Sequence, residues 1–256
     1  MVSRKGFTLV ELLVVIAILA LLMSILMPAL RHVRSQAKVV LCQSNVKQWG
    51  SYFMMYTDDH DGSFQPGRGI APWFYVLKPY YGDATELLCC PMANKGETSI
   101  LVGGDATFAT WGPQWFERWF KEIYGSYGIN AWVTNVPAGT EFDYRPRYNW
   151  RTSHVKRAGY IPLMADAYWP EGWSEQTDSV PEFSGQVEYI TFNDMQHFCL
   201  NRHDGYVGGL FMDYSARKIG LKELWKLMWH RNYPLDADPP VAWDEPRHWM
   251  CRFKDY

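Results

Sequence analysis

Residue types that commonly do chemistry are present in this chain, but their spacing assigns little chemistry to them. His197, Cys199 and His203 put two imidazoles and a thiol in one short run. These are zinc-ligand types, yet structural zinc sites use four donors at recognisable intervals. No standard interval is present here, and a fourth ligand would have to come from a distant part of the chain. A Cys–His peptidase would also need a third group to orient its base, and nothing nearby supplies that group or an oxyanion site. Asp58, Asp59 and Asp61 precede Gly62 as acids precede the glycine of a calcium loop. Aligning Gly62 with that glycine, however, puts Thr57 and Arg68 at the first and last ligand positions. The acids therefore read as a turn that ends a helix. Arg145, Arg147, Arg151, Lys156 and Arg157 interleave with Tyr144, Tyr148 and Trp150, a mixture that can grip single strands of nucleic acid. Glu141 and Asp143 sit beside them and the net charge is −2, so the stretch reads as a solvated, partly self-paired surface. No catalytic set, cofactor, metal or nucleic-acid partner is expected.

One acid stands in an unusual place. Glu11 is the only charge between Gly6 and Leu30, GFTLVELLVVIAILALLMSILMPAL. At about 1.5 Å per helical residue this run can cross most of a bilayer core of roughly 30 Å. Its apolar residues go all the way round a helix, which argues against a core helix with one buried stripe. A removable secretory signal needs small residues at its cleavage site, and Leu26-Met27-Pro28-Ala29-Leu30 does not offer them. Val39-Val40-Leu41 before Cys42 rules against a lipoprotein signal in the same way. Arg4 and Lys5 precede the run while Arg31, Arg34 and Lys38 follow it, so charge alone does not orient it. A carboxylate inside such a segment is a functional group by default, unless it sits near the interface and reaches water.

Gly6-Phe7-Thr8-Leu9-Val10-Glu11, with its basic head and apolar run, resembles the processing site of type IV prepilins and type II secretion pseudopilins. The resemblance implies cleavage between Gly6 and Phe7 by a prepilin peptidase and N-methylation of Phe7. It also implies an assembly role for Glu11, facing the new amine of a neighbouring copy, and a helix kink at Pro28. The N-terminus would be cytoplasmic, in a single-pass inner-membrane protein whose head is periplasmic or, in a filament, extracellular. Other pilins, an assembly platform and its ATPase would be partners, with the lipid bilayer as the store. Cys42-Gln43-Ser44-Asn45-Val46-Lys47-Gln48-Trp49-Gly50 and Cys89-Cys90-Pro91 are similar to a pseudopilin-like group found in planctomycetes and their relatives. That likeness implies a disulfide from Cys42 to Cys90 or Cys89; the alternative is buried thiols. His203, nine residues and then Asp213 resembles a His…Asp-Gly motif of the group, with Tyr214 where the glycine belongs.

The expected fold is α+β and pilin-like, with a leader (1–6), a transmembrane segment (7–30), a stalk helix (31–60) and a head (61–256) built on an antiparallel sheet and short helices. Cys42, Val46, Trp49, Phe53 and Tyr56 step by four and three, an apolar stripe for the head to cover. Strands are expected at Tyr127–Val133 after a turn, at Tyr160–Asp166 with Pro162 favouring an edge, at Val187–Phe192, and at Val207–Met212 returning through Ala216–Ile219. Short helices are expected at Pro113–Tyr124 and at Leu221–Arg231, the latter with Leu221, Leu224, Trp225 and Met228 on one face and Lys222 off it. Trp169–Gly185 reads as an irregular surface insertion and Asp236–Pro240 as a loop. The thirteen Trp, sixteen Tyr and thirteen Phe read as core filling. The five cysteines leave at least one unpaired in a monomer. The expected role is a structural, non-enzymatic subunit of a pseudopilus or pilus-like filament. The alternative is a surface module that binds glycan or DNA and uses the same anchor.

Overall fold

Thr8 starts the longest element. Its side-chain oxygen accepts the Glu11 N–H at 3.2 Å, and the Glu11 carboxylate accepts the Thr8 N–H at 2.8 Å, a reciprocal cap that satisfies two otherwise orphaned donors. From there α1 runs without interruption from Leu9 to Asp59, about 75 Å at helical rise. Pro28 lies inside it and the helix continues on both sides. The acids read as a terminating turn do end it: Asp61 and Gly62 take φ of 53° and 78°, and the Gly62 N–H donates back to the Thr57 carbonyl at 2.8 Å. The computed structural model describes residues 6, 8–67, 71–94, 104–112, 123–137, 139, 145–187, 193–235 and 243–254. Outside these lie Phe7, Arg68, the expected helix from residue 113 to 122, Glu141, Asp143, Tyr144, the expected strand beyond Val187, and the 236–240 loop.

The expected stripe is the buried face of α1. Cys42, Val46, Trp49, Phe53 and Tyr56 are all buried, together with Gly50 and Thr57. They pack across a five-stranded sheet of order β3-β1-β2-β4-β5, made of β1 (Tyr127–Asn130), β2 (Pro162–Asp166), β3 (Glu171–Gly172), β4 (Tyr206–Phe211) and β5 (Ala216–Gly220). The helix follows β4 closely. A Cβ on Gly208 would lie 3.4 Å from Cys42 Sγ, and one on Gly50 would lie 2.8 Å from Leu210 Cδ1. Two short helices, α2 (Trp73–Val76) and α3 (Lys78–Tyr81), close the other side of the stripe. There Trp49 meets Trp73 and Tyr81 edge-on at 5.0 and 5.2 Å.

Several expectations change. The sheet is mixed, because β1 pairs with β3 in parallel. β2 is its central strand: Pro162 is tolerated at the strand's first residue, where the pairing with β4 shifts register. β1 precedes its turn instead of following one, the Val133 N–H closing onto the Asn130 carbonyl at 2.9 Å. The 169–185 segment is only partly surface. It contributes β3, and Glu171, Ser174 and Asp178 are buried. The C-terminal helix is a 3-10 helix, Leu221–Lys226. Its three-residue turn eclipses positions three apart, so Leu221 and Leu224 are buried as expected while Lys222 beside Trp225 is buried too. Most described Trp rings fill the core, Trp49, Trp111 and Trp229 among the most buried.

His230 is buried between Trp132, Tyr148 and Tyr233. Its Nδ1 accepts the Asn232 N–H at 3.2 Å, which fixes the neutral form with hydrogen on Nε2. Burial, with the charge of Arg145 adding, pushes it down to about 4 from an ordinary 6.5. A base whose folded value is depressed stabilises the fold above the unfolded value, and that contribution is lost as pH falls through about 4. Asp178, which burial pushes up to about 7, works in the opposite sense: its contribution is lost as pH rises. The two are separated by comparing variants. Between pH 7 and 4, wild type is expected to lose roughly 2 kcal/mol relative to His230→Phe, after allowance for solvent screening. Urea melts at both pH values check this, and parallel pH profiles for the two proteins would refute it.

Candidate functional site

Two places concentrate unusual features. The first is the N-terminal half of α1. Its large apolar residues from Leu9 to Leu30 are exposed, by 40% at Leu30 and 86% at Leu9. It is the one helix among the described residues long and apolar enough to cross a membrane. Glu11 is turned back on its own chain, its carboxylate also accepting the Thr8 hydroxyl at 2.7 Å. The sequence carries a signal for this cap, threonine followed three residues later by glutamate before an apolar run.

The second place is buried where stalk meets head. Cys42 arrives on α1, and Cys90 follows the 3-10 turn Thr85–Leu88. Asp166 ends β2 directly across from Tyr127 of β1. His203 precedes β4, in a turn where Asp204 and Gly205 take φ of 56° and 95°. One donor atom from each of Cys42, Cys90, Asp166 and His203 lies within 4.8 Å of all the others, and all four residues are buried. Cys42 Sγ is 3.6 Å from both Asp166 oxygens. Cys90 Sγ is 3.4 Å from His203 Nε2, and that nitrogen is 3.2 Å from Asp166 Oδ2.

Outer contacts hold these groups. The Tyr127 hydroxyl donates to Cys42 Sγ at 3.3 Å, the Met92 N–H to Cys90 Sγ at 3.5 Å, and the Gly208 N–H to Asp166 Oδ2 at 2.7 Å. Arg202, fully buried, lies 3.6 Å from Asp166 Oδ1. Its guanidinium donates to four carbonyls, those of Thr107 at 2.5 Å, Ser126 at 2.8 Å, Ala109 at 2.7 Å and Ala167 at 3.2 Å. Burial alone would raise Asp166, but His203, Arg202 and the Gly208 N–H outweigh it and hold the carboxyl below its usual range. Burial opposes charging His203, yet Asp166 and Cys90 carry it up to about 10. Burial also works against the Cys90 thiolate, while contacts from Cys42 and His203 and the charge of Arg202 bring it down to about 7. Cys42 is pushed up, by its contact with Cys90 first and by burial next.

A thiol, an imidazole and a carboxylate suggest a nucleophilic triad, but the geometry differs. A triad spends one ring nitrogen on the nucleophile and the other on the acid. Here both partners share Nε2, and Nδ1 has no hydrogen-bond partner among the described residues. The arrangement is suited to holding something at its centre.

The residues singled out from sequence divide accordingly. Cys42 and Cys90 come together as free thiols, while Cys89 faces the Tyr124 carbonyl. His197, Cys199 and His203 do not meet: His197 bonds the Glu171 carbonyl and Cys199 faces Met250. His203 and Asp213 stand at opposite ends of β4, so their spacing is the length of a strand and its turn. Asp213 is exposed and organises that turn through the Ser215 N–H at 2.9 Å. Tyr214 takes the glycine-like φ of 61°. Its hydroxyl bonds Thr57 at 2.5 Å and its carbonyl accepts from Lys47 at 3.0 Å, so the residue that departs from the motif docks the hairpin onto the stalk. In the basic stretch, Arg145 pairs with Glu175 and Arg151 donates to the Val136 carbonyl, as a self-paired surface would. Arg202 and Tyr127 were not anticipated; nothing in pattern or spacing marks a buried arginine.

In comparison with known families, the model of the prokaryotic N-terminal methylation motif matches residues 1–27. No curated protein matches the chain. No solved structure matches it either.

Proposed function

From a chain that carries a type IV prepilin-like N-terminus on a long apolar helix, we propose that this protein is a structural subunit of a pseudopilus or type IV pilus-like filament. The observation that carries the reading is the union of that motif with a stalk whose first half is apolar and uncovered all round. Such a surface needs lipid before assembly and copies of itself after it. A prepilin peptidase cuts between Gly6 and Phe7, the new amine is methylated, and the segment from Phe7 to Leu30 anchors the subunit in the inner membrane with its head on the far side. Extraction draws on a separate platform and ATPase. The head has a framework role and no catalytic one.

Glu11 sets axial register. In the free subunit Thr8 supplies its hydrogen bonds; in the filament the amine of a neighbouring Phe7 takes over, and a matched charge is available only at the correct stagger. Co-expression with a prepilin peptidase is the test. The precursor is expected to lose the mass of Met1 through Gly6, and a chain left intact by an active peptidase would contradict the reading.

A further inference from the structure

The geometry points to a structural zinc site at the stalk–head junction, with Cys42, Cys90, Asp166 and His203 as its four ligands. The inference stands apart from filament assembly and concerns how the head is held to its helix.

The donor set is the first argument. Thiolate, imidazole and carboxylate are all zinc ligands, and structural zinc sites use four donors, the number present here. The second is distance. With Zn–S of about 2.3 Å and Zn–N or Zn–O of about 2.0–2.1 Å, a tetrahedron has sulfur–nitrogen and sulfur–oxygen edges of about 3.6 Å and a nitrogen–oxygen edge of about 3.3 Å. The corresponding separations here are 3.4 Å for Cys90 Sγ to His203 Nε2, 3.6 Å for Cys42 Sγ to the Asp166 oxygens, and 3.2 Å for His203 Nε2 to Asp166 Oδ2.

The surroundings are the third argument. Ligands in zinc sites are oriented by outer hydrogen bonds. Here three of the four ligands are so held: Tyr127 and the Met92 N–H donate to the sulfurs and the Gly208 N–H to the carboxylate, while the fourth, His203, has no such partner at Nδ1 among the described residues. Charge also closes. The ion and Arg202 together balance two thiolates and one carboxylate, with His203 neutral. Loading releases the thiol protons of Cys42 and Cys90 and the Nε2 proton of His203, while Nδ1 keeps its hydrogen. A disulfide between Cys42 and Cys90 would use the same sulfurs and so excludes the metal.

The full chain, purified in detergent under reducing conditions, supplied with stoichiometric zinc and desalted, is expected to keep about one zinc per chain. X-ray absorption at the zinc edge is expected to show two sulfur and two lighter neighbours. Cobalt in its place should give the intense visible bands of a tetrahedral thiolate site. His203→Ala and Cys42→Ser should lose the metal, whereas Cys251→Ser, at an exposed thiol outside the site, should keep it. Three results would each overturn the proposal: wild type that retains no zinc, zinc bound through nitrogen and oxygen alone, or protein prepared without reductant that carries a Cys42–Cys90 disulfide and no metal. The wild-type spectra decide the matter even if the variants fail to fold.

Discussion

Arg202→Met is expected to cost the head roughly 3–5 kcal/mol, the range seen when one partner of a buried charge network is removed. Methionine fills much of the space but donates no hydrogen bond. The carbonyls of Thr107, Ala109 and Ala167 would lose the donor that gathers them, that of Ser126 would keep the Ala167 N–H, and Asp166 would lose the guanidinium beside it. Each buried acceptor left without a partner carries a penalty of about 1–3 kcal/mol. Arg202→Lys should recover only part of the loss, since an ammonium on a flexible stem cannot fork across four oxygens. Urea unfolding of the detergent-solubilised chain, followed by tryptophan fluorescence, measures both. If Arg202→Met stays within about 1 kcal/mol of wild type, the network is not what joins these segments.

Glu11→Ala should leave processing and membrane insertion nearly intact and reduce incorporation into filaments by roughly tenfold or more. The substitution removes a charge from an apolar segment, so residence in lipid is not impaired. On the proposed register role, what is lost is the pairing that rejects wrong staggers between neighbouring stalks. It also removes the Thr8 cap, so Thr8→Val is the control: it removes the hydroxyl from the cap but keeps the carboxylate. The ratio of sheared to membrane-bound protein by immunoblot separates the two. Equal loss in both variants would assign the effect to helix capping, and normal assembly of Glu11→Ala would remove the register role.

The parts of this fold legible in sequence are those governed by period and by local turn chemistry. The stripe from Cys42 to Tyr56 was visible because a half-covered helix must repeat its apolar residues every three or four positions. The β4–β5 hairpin was visible because strand, turn and strand alternate within a few residues. What escaped depends on long-range company. Pro162 argues for an edge until a register shift lets it open a central strand. Leu221 to Arg231 has the spacing of an α-helix, but only Leu221–Lys226 is helical, and as a 3-10 turn that buries Lys222. The candidate site shows the limit best. In sequence His203 stands beside residues it does not meet, because its partners come from α1, from the segment before β1 and from the end of β2. The missing distant ligand was the obstacle to a zinc reading of His197, Cys199 and His203; only the folded chain shows which donors from afar His203 meets.

The central claim is that this chain is cut, methylated and built into a filament through its apolar stalk. The most direct measurement is the N-terminal peptide mass of the protein recovered from sheared surface material and, in parallel, from the native membrane. The account predicts a chain beginning at N-methylated Phe7 in both fractions. Protein that still begins with Met1 when the peptidase is present, and that is absent from the sheared fraction, would contradict it.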